Sequence, residues 1–267
     1  MEVIGVVHLP RLPYVDVRVD FDLNTLLERV LREVSILEGL GYDGVIIENY
    51  GDSPYPKRVR DPLALSVMAV VVREAVKSTR MRVGVNVLRN SGREAYAIAV
   101  ATGARFIRVN ALTETIVSDS GIIEPEAPRL RALRSNYKGV EVYADILVKH
   151  AGSLTLLAES LPGKTRGGEV GVLREIVSDA VERGGADKIV VTGYRTGEAP
   201  DPEFVGKMRE LSPRPLILGS GATPENINIY KRHVDGVIVG SFIRAGGRAG
   251  NPLDEERARA FIRAARS

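Results

Sequence analysis

The 267-residue chain contains no cysteine and no glutamine, and only 4 methionines. Without cysteine, disulfides, thiolate metal sites and cysteine nucleophiles are excluded before any motif is read. The missing glutamine, set against abundant Arg and Glu, is a bias of proteins that must survive heat and predicts a thermophilic source. Long apolar runs are absent too. The longest strictly apolar stretch, Val67 to Val72, falls far short of the roughly 20 residues that cross a bilayer. Met1 leads straight into a strand-like run, Glu2 to Leu9, with no basic n-region, apolar h-region or cleavage pattern. The expectation is a cytoplasmic protein with no integral membrane segment. Nor is there an excess of one charge: 37 Lys+Arg against 34 Asp+Glu give +3, and the cations are scattered, which argues against a nucleic-acid partner.

What the chain does have is the balance of a globular protein, 44% hydrophobic and 27% charged. Its length suits one (β/α)8 barrel, a fold that typically needs about 250 residues. Short β-branched runs alternate with amphipathic stretches of helix length, the pattern of a parallel sheet. The predicted strands are Val3 to His8, Gly44 to Glu48, Arg82 to Leu88, Phe106 to Asn110, Glu141 to Val148, Lys188 to Thr192, Pro215 to Leu218 and Gly236 to Val239. The predicted helices are Asn24 to Leu40, Pro62 to Ser78, Arg93 to Thr102, Pro125 to Asn136, Val170 to Arg183, Pro202 to Leu211, Pro224 to Arg232 and Asp254 to Ala265. Four segments repeat one design, in which a helix ends at Gly or His and a buried strand begins two residues later. They start at Gly41, Gly103, Gly185 and His233. The recurrence at every second strand predicts a barrel of βαβα quarters spanning residues 1–267 as one domain; an open doubly wound sheet is the alternative.

In such a barrel the C-terminal strand ends meet on one face, where sites are built. Six strands deliver polar side chains there: His8; Glu48 and Asn49; Asn86 followed by Asn90; Arg108 and Asn110; Asp145 followed by Lys149 and His150; and Thr192. Buried polar strand residues are costly unless paired, and Asn86, Arg108 and Asp145 each interrupt an apolar strand. Strands seven and eight end instead in Gly219-Ser220-Gly221 and Gly240-Ser241. Glycine turns let backbone amides approach an anion, and a helix opening at Pro224 would point its positive end at the same place. This pair of turns predicts a phosphate site. His233, in a helix-to-strand turn on the opposite face, reads as structural.

Together these motifs resemble the BtpA/SgcQ family, whose barrel is grouped with the ribulose-phosphate-binding barrels. The resemblance is carried by Val7-His8-Leu9 with Leu12-Pro13, Ile47-Glu48-Asn49-Tyr50-Gly51-Asp52, Gly84 to Asn90, Ala101 to Asn110, Asp119 to Glu124, Ala144-Asp145, Val148 to Ala151, Gly219-Ser220-Gly221, Pro224 to Ile227 and Asn251-Pro252. The family name comes from photosystem I biogenesis, and the SgcQ branch resembles an enzyme of phosphate metabolism. One departure stands out. Where members often place Lys and Asp after strand eight, this chain reads Phe242 to Gly247, with Arg244 as the substitute donor.

The expected function is an enzyme acting on a small phosphorylated metabolite, a sugar phosphate or nucleotide derivative. Glu48 and Asp145 are the expected acid/base pair, tuned by Arg108 and Lys149. Lys149 is alternatively an electrophile or a Schiff-base amine. His8 and His150 would transfer protons, or join Asp145 or Glu48 around a divalent metal. The chain also admits a homo-oligomer. A non-catalytic assembly factor for a membrane complex and a phosphometabolite sensor are the alternatives.

Overall fold

The computed structural model describes residues 1–159, 168–193 and 197–267. Eight parallel strands close into a barrel: β1 (Glu2–His8), β2 (Gly44–Glu48), β3 (Arg82–Asn86), β4 (Phe106–Val109), β5 (Glu141–Ile146), β6 (Lys188–Val191), β7 (Leu216–Leu218) and β8 (Gly236–Val239). β1 pairs with β8 as well as with β2, so no sheet edge is left open. The open-sheet alternative is thereby excluded. Helices α1 (Leu23–Gly39), α2 (Pro62–Ser78), α3 (Gly92–Thr102), α4 (Ala127–Asn136), α5 (Gly168–Ser178), α6 (Pro202–Leu211), α7 (Ile227–Tyr230) and α8 (Glu255–Arg266) follow the strands in turn. Among the described residues, no helix is long and apolar enough to cross a membrane.

The helix starts follow from their caps. Asp22, Asp61, Asp201 and Asp254 each accept a backbone N–H of the first turn, and Pro62 and Pro202 sit at positions that have no N–H to lose. The repeated entry into even-numbered strands has a physical basis as well. Gly41, Gly103 and Gly185 take left-handed φ values of 88°, 87° and 69°, the conformation that ends a helix with least strain. One step later Asp43, Asp187 and Asp235 accept the N–H of Val3, Val142 and Leu216 on a neighbouring strand at 2.7, 2.8 and 2.8 Å. Each aspartate thus pins two adjacent strands where the ladder begins.

Strand alternation then sorts the side chains into two populations. One set, including Val3, Val7, Val45, Ile47, Val85 and Val237, packs outward against the helices. The other, Ile4, Val6, Ile46, Phe106, Tyr143, Val190, Ile217 and Ile238, fills the bore. Phe106 and Tyr143 stack with ring centroids 4.4 Å apart, and Gly84 is glycine because a Cβ there would collide with the Phe106 ring. Below them Glu2 binds Arg82 and Lys188 at 3.0 and 2.6 Å, and Arg82 binds Glu141 at 2.6 Å. This ion cluster closes the N-terminal end of the bore.

Two regions differ from the sequence reading. Within loops read as irregular, Ile116–Ser118, Gly121–Ile123 and Ala151–Ser153 pair as a small antiparallel sheet, followed by a short helix, Leu154–Glu159. Residues 160–167 of the second loop lie outside the described residues. The helix expected from Pro224 is only the single turn of α7. Asn226 folds back so that its side chain accepts the N–H of Thr223 and donates to Gly221 O, both at 2.8 Å, which closes a turn where a first helical turn was expected.

Candidate functional site

The inward stripe that is apolar in the lower bore becomes polar one step above it. Counting by twos from the core residues leads from Val6 to His8, Ile46 to Glu48, Phe106 to Arg108, Tyr143 to Asp145, Ile217 to Gly219 and Ile238 to Gly240. These positions meet under a cavity of about 770 Å³ at the C-terminal end of the barrel, within the usual size range of small-molecule sites. His8, Glu48, Asn86, Arg108, Asn110, Lys149, His150 and all five turn residues from Gly219 to Gly221 and Gly240 to Ser241 line it.

Glu48 is held from two sides. Asn86 Nδ2 donates to its Oε2 at 2.7 Å, and His8 Nε2 lies 3.8 Å from its Oε1. His8 Nδ1 accepts the Gly250 N–H at 3.2 Å, so a neutral ring carries its proton on Nε2, facing Glu48. Burial, then the nearby cations Arg244, Lys149 and Arg29, push the imidazole pKa well below its ordinary value. His8 is therefore a neutral donor at physiological pH.

Arg108 and Asp145 form a bidentate pair, Nε to Oδ1 at 2.9 Å and Nη2 to Oδ2 at 3.0 Å, and Asn110 Nδ2 adds a third bond to Oδ2 at 2.9 Å. Burial opposes the Arg108 charge, but the carboxylate and its hydrogen bonds outweigh it, and the guanidinium pKa is raised. Asp145 is 1% exposed and does not line the cavity; Arg108 and Asn110 stand between it and the space above. Asn49, Asn90 and Thr192 are also turned away. Asn49 accepts Leu88 N and donates to Asp52, Asn90 bridges Ala111 and Glu124, and Thr192 Oγ1 accepts the Lys149 N–H at 3.0 Å.

Lys149 and His150 follow a kink after β5, where Leu147 and His150 take φ values of 50° and 59°. Glu114 anchors that kink by accepting Leu147 N at 3.0 Å and Ser153 Oγ at 2.7 Å. Burial, then Arg108, lowers the Lys149 pKa to about 8, with Glu48 and Asp145 pulling the other way. Among the described residues, no three His, Asp or Glu side chains gather as a metal site.

At the two glycine turns, the amides of Gly221, Ala222, Gly240 and Ser241 have no hydrogen-bond acceptor among the described residues. The hydroxyl of Ser220 is committed to the loop: it accepts Gly193 N and donates to Glu198 O, both at 3.0 Å. The short α7 adds no helix end here. Arg244 also departs from expectation. It is fully buried, with Nη1 2.6 Å from Glu33 Oε2 on α1 and Nη2 donating to Val6 O, so it faces the helix layer and is no phosphate donor. The cation beside these turns is Arg257, at the start of α8, whose Nε donates to Phe242 O at 2.6 Å while its guanidinium lies 4.3 Å from the Phe242 ring centroid. Sequence reasoning missed it, along with Tyr50 and Tyr55, which also line the cavity. Tyr50 packs against His8 with centroids 4.5 Å apart, and Tyr55 carries Arg89, which is paired with Asp119 at 2.5 Å.

The chain matches the BtpA family across residues 1–267. The photosystem I biogenesis protein BtpA of Synechocystis is 38% identical over 264 residues, 98% of this chain and 87% of that protein. An uncharacterized protein of Pyrococcus horikoshii is 38% identical over 256 residues, 96% and 92% of the two chains. Among solved structures, N-(5'-phosphoribosyl)anthranilate isomerase from Pyrococcus furiosus superposes with a TM-score of 0.59 at 17% identity, over 100% of this chain and 98% of that one. Geranylgeranylglyceryl phosphate synthase from Thermoplasma acidophilum, in complex with sn-glycerol-1-phosphate, gives 0.56 at 13% identity over 98% and 92%. At those identities the likeness is one of fold.

Proposed function

The chain belongs to the BtpA family, and from that premise we propose that it is an enzyme acting on a small phosphorylated metabolite bound at the C-terminal end of the barrel. The observation that carries the reading is the pair of glycine turns whose amides have no acceptor among the described residues, set beside Arg257 and opening into the same cavity as Glu48, His8, Arg108 and Lys149. Backbone amides suit a phosphate because they supply several donors without side-chain entropy, and turns after strands seven and eight are a recurrent phosphate position in barrels. Across the cavity, Glu48 is the acid/base group, oriented by Asn86 and facing the neutral donor His8. Arg108, Asn110 and Asn86 bind the polar body of the substrate. Asp145 acts through Arg108: with its carboxylate saturated by three donors, it holds the guanidinium in place. The two neighbouring barrel proteins whose names include phosphoribosyl or glyceryl phosphate compounds lend this reading support by analogy only.

The test is thermal unfolding with and without inorganic phosphate at matched ionic strength. Only the folded chain assembles the turns, so phosphate at about 100 times its dissociation constant should add roughly 2.7 kcal/mol of stability. Gly240→Val should remove that gain. A Cβ at Gly240 would stand 3.4 Å from the His8 ring, in ordinary contact range, so the barrel should still fold. Gly219 and Gly221 are unsuitable controls, since a Cβ there would strike Val190 and the Ala199 backbone. Equal stabilisation of the wild type and the Gly240 variant would sink the phosphate site and favour an assembly factor.

A further inference from the structure

Three lysines of the described chain are ion-paired, Lys77, Lys188 and Lys207 with Glu74, Glu2 and Glu203 at 2.9, 2.6 and 3.1 Å, and Lys231 donates to Ala264 O at 2.7 Å; Lys57 and Lys138 lie away from the C-terminal cavity. Lys149 is the lysine that lines the cavity, and among the described residues its Nζ has neither an ion-pair partner nor a hydrogen bond. Its backbone is nevertheless fixed, by Thr192 through its own N–H and by Glu114 through Leu147. An amine whose backbone is fixed in a polar cavity, with no carboxylate in ion-pair contact among the described residues, is poorly explained as structure. A lysine that serves only to bind an anion gains from keeping its proton, whereas burial beside Arg108 favours losing it.

We propose that Lys149 is a covalent catalyst, whose Nζ adds to the carbonyl carbon of a phosphorylated aldehyde or ketone seated on the Gly219–Gly221 and Gly240–Ser241 turns. The proposal rests on the phosphate reading above and narrows its substrate class. In the first step the neutral amine forms a C–N bond, the carbonyl π-pair moves to oxygen, and a proton passes from nitrogen to that oxygen, giving a carbinolamine. In the second, Glu48 relays a proton from solvent to the hydroxyl, which leaves as water, and the nitrogen lone pair forms the C=N bond of a protonated imine. The His8 Nε2–H and Asn86 stabilise Glu48 once it is ionised. The imine is the electron sink that such a substrate needs for bond cleavage or proton loss at the adjacent carbon.

The test uses glycolaldehyde phosphate as probe and cyanoborohydride, whose hydride reduces the protonated imine to a stable secondary amine. Intact mass and peptide mapping then read the site. One adduct is expected, on Lys149, forming on the order of 100-fold faster at pH 7.5 than on surface lysines, because the fraction of neutral amine differs by about that factor. The rate should rise with pH to a half-maximum near pH 8. The adduct should vanish in Lys149→Arg and Lys149→Met, checked for folding by circular dichroism, and be suppressed by inorganic phosphate. Adducts spread over Lys57, Lys77 and Lys207, with Lys149 no faster, would overturn the proposal. So would absence of a Lys149 adduct in a protein that phosphate still stabilises, an outcome that leaves the phosphate site standing. Trapping at Lys149 that phosphate does not suppress, and that plain glycolaldehyde matches, would refute the placement of the phosphate on the turns.

Discussion

Removing the Asp145 carboxylate should cost far more stability than a surface substitution, and the structure sets the scale. Asp145 is buried, its partner Arg108 almost so, and three donors at 2.9, 3.0 and 2.9 Å converge on one carboxylate. Asp145→Ala leaves a guanidinium in the bore without its counter-charge. Breaking a buried pair in this way costs about 3–5 kcal/mol. At about 2–4 °C per kcal/mol for a chain of this size, the melting temperature should fall by roughly 6–20 °C. Asp145→Asn keeps the shape but turns an NH2 group toward Arg108 or Asn110, both donors, so it should recover only part of the loss. Replacing both partners with apolar residues of similar volume, Arg108→Met with Asp145→Leu, should be less damaging than Asp145→Ala alone, because no charge is stranded. Guanidinium-induced unfolding of the four proteins measures these differences. If Asp145→Ala lies within about 1 kcal/mol of wild type, the view of Asp145 as the anchor of Arg108 is wrong, and an acid/base role for it regains its place.

Two further outcomes follow from titration. Burial lowers the His8 pKa in the folded chain, so the unfolded chain binds the proton more tightly; this contribution to stability is complete above pH 6.5 and is lost as pH falls below it. His8→Asn should flatten the stability-pH curve in that window, and an unchanged slope would show that His8 does not titrate as argued. Lys149 carries the same sign in a different window: with a folded value of about 8 against an ordinary 10.5, its charge is a burden below pH 8 that is relieved as pH rises toward 10.5. Lys149→Met should therefore be more stable than wild type at pH 7, by up to about 3 kcal/mol, and the gap should close above pH 8; a variant less stable at pH 7 would contradict the burial of a charged amine.

Much of this was legible because alternation in a strand is a strict rule. His8, Glu48, Asn86, Arg108 and Asn110 could be assigned to one face from spacing alone, and their shared cavity follows from closing the barrel. What spacing could not reveal was depth. Asp145 has the same inward phase as Arg108, yet its carboxylate is taken up by three donors from Arg108 and Asn110 and does not line the cavity. Arg244 sits where a phosphate donor was expected, but Glu33, some 200 residues earlier in the chain, gives it a buried partner that no local pattern announces. Arg257 is hidden for the opposite reason. It reads as an ordinary charge in the first turn of a surface helix, and only the path of Phe242 brings it to the turns. The strands of Ile116–Ser118, Gly121–Ile123 and Ala151–Ser153 are three residues each, too short to show a period.

The closed lower end of the bore gives the upper end its chemistry. With Phe106, Tyr143 and the apolar layer filling the middle, and the Glu2–Arg82–Lys188 cluster below, charge at the upper end has no route to water through the barrel. Every ionisable group there must be balanced locally or exchange with solvent through the cavity mouth. Glu48 is hydrogen-bonded by Asn86, faces the His8 Nε2 and acts electrostatically on Arg108 and Lys149, and Arg108 is balanced by Asp145. Lys149 feels Glu48 and Asp145 only at a distance and has no ion-pair partner among the described residues, so an entering anion would complete its balance. An incoming phosphate supplies two negative charges, and the glycines at the ends of β7 and β8 leave it room beside bare amides. A substrate bearing both a phosphate and a carbonyl would thus meet anion donors at one end and, at the other, an amine with no ion-pair partner among the described residues. The same barrel without such a substrate would hold a partly buried, desolvated lysine at a standing cost in stability, which is why the Lys149→Met variant, expected to be more stable but unable to trap the probe, separates a catalytic amine from a structural one.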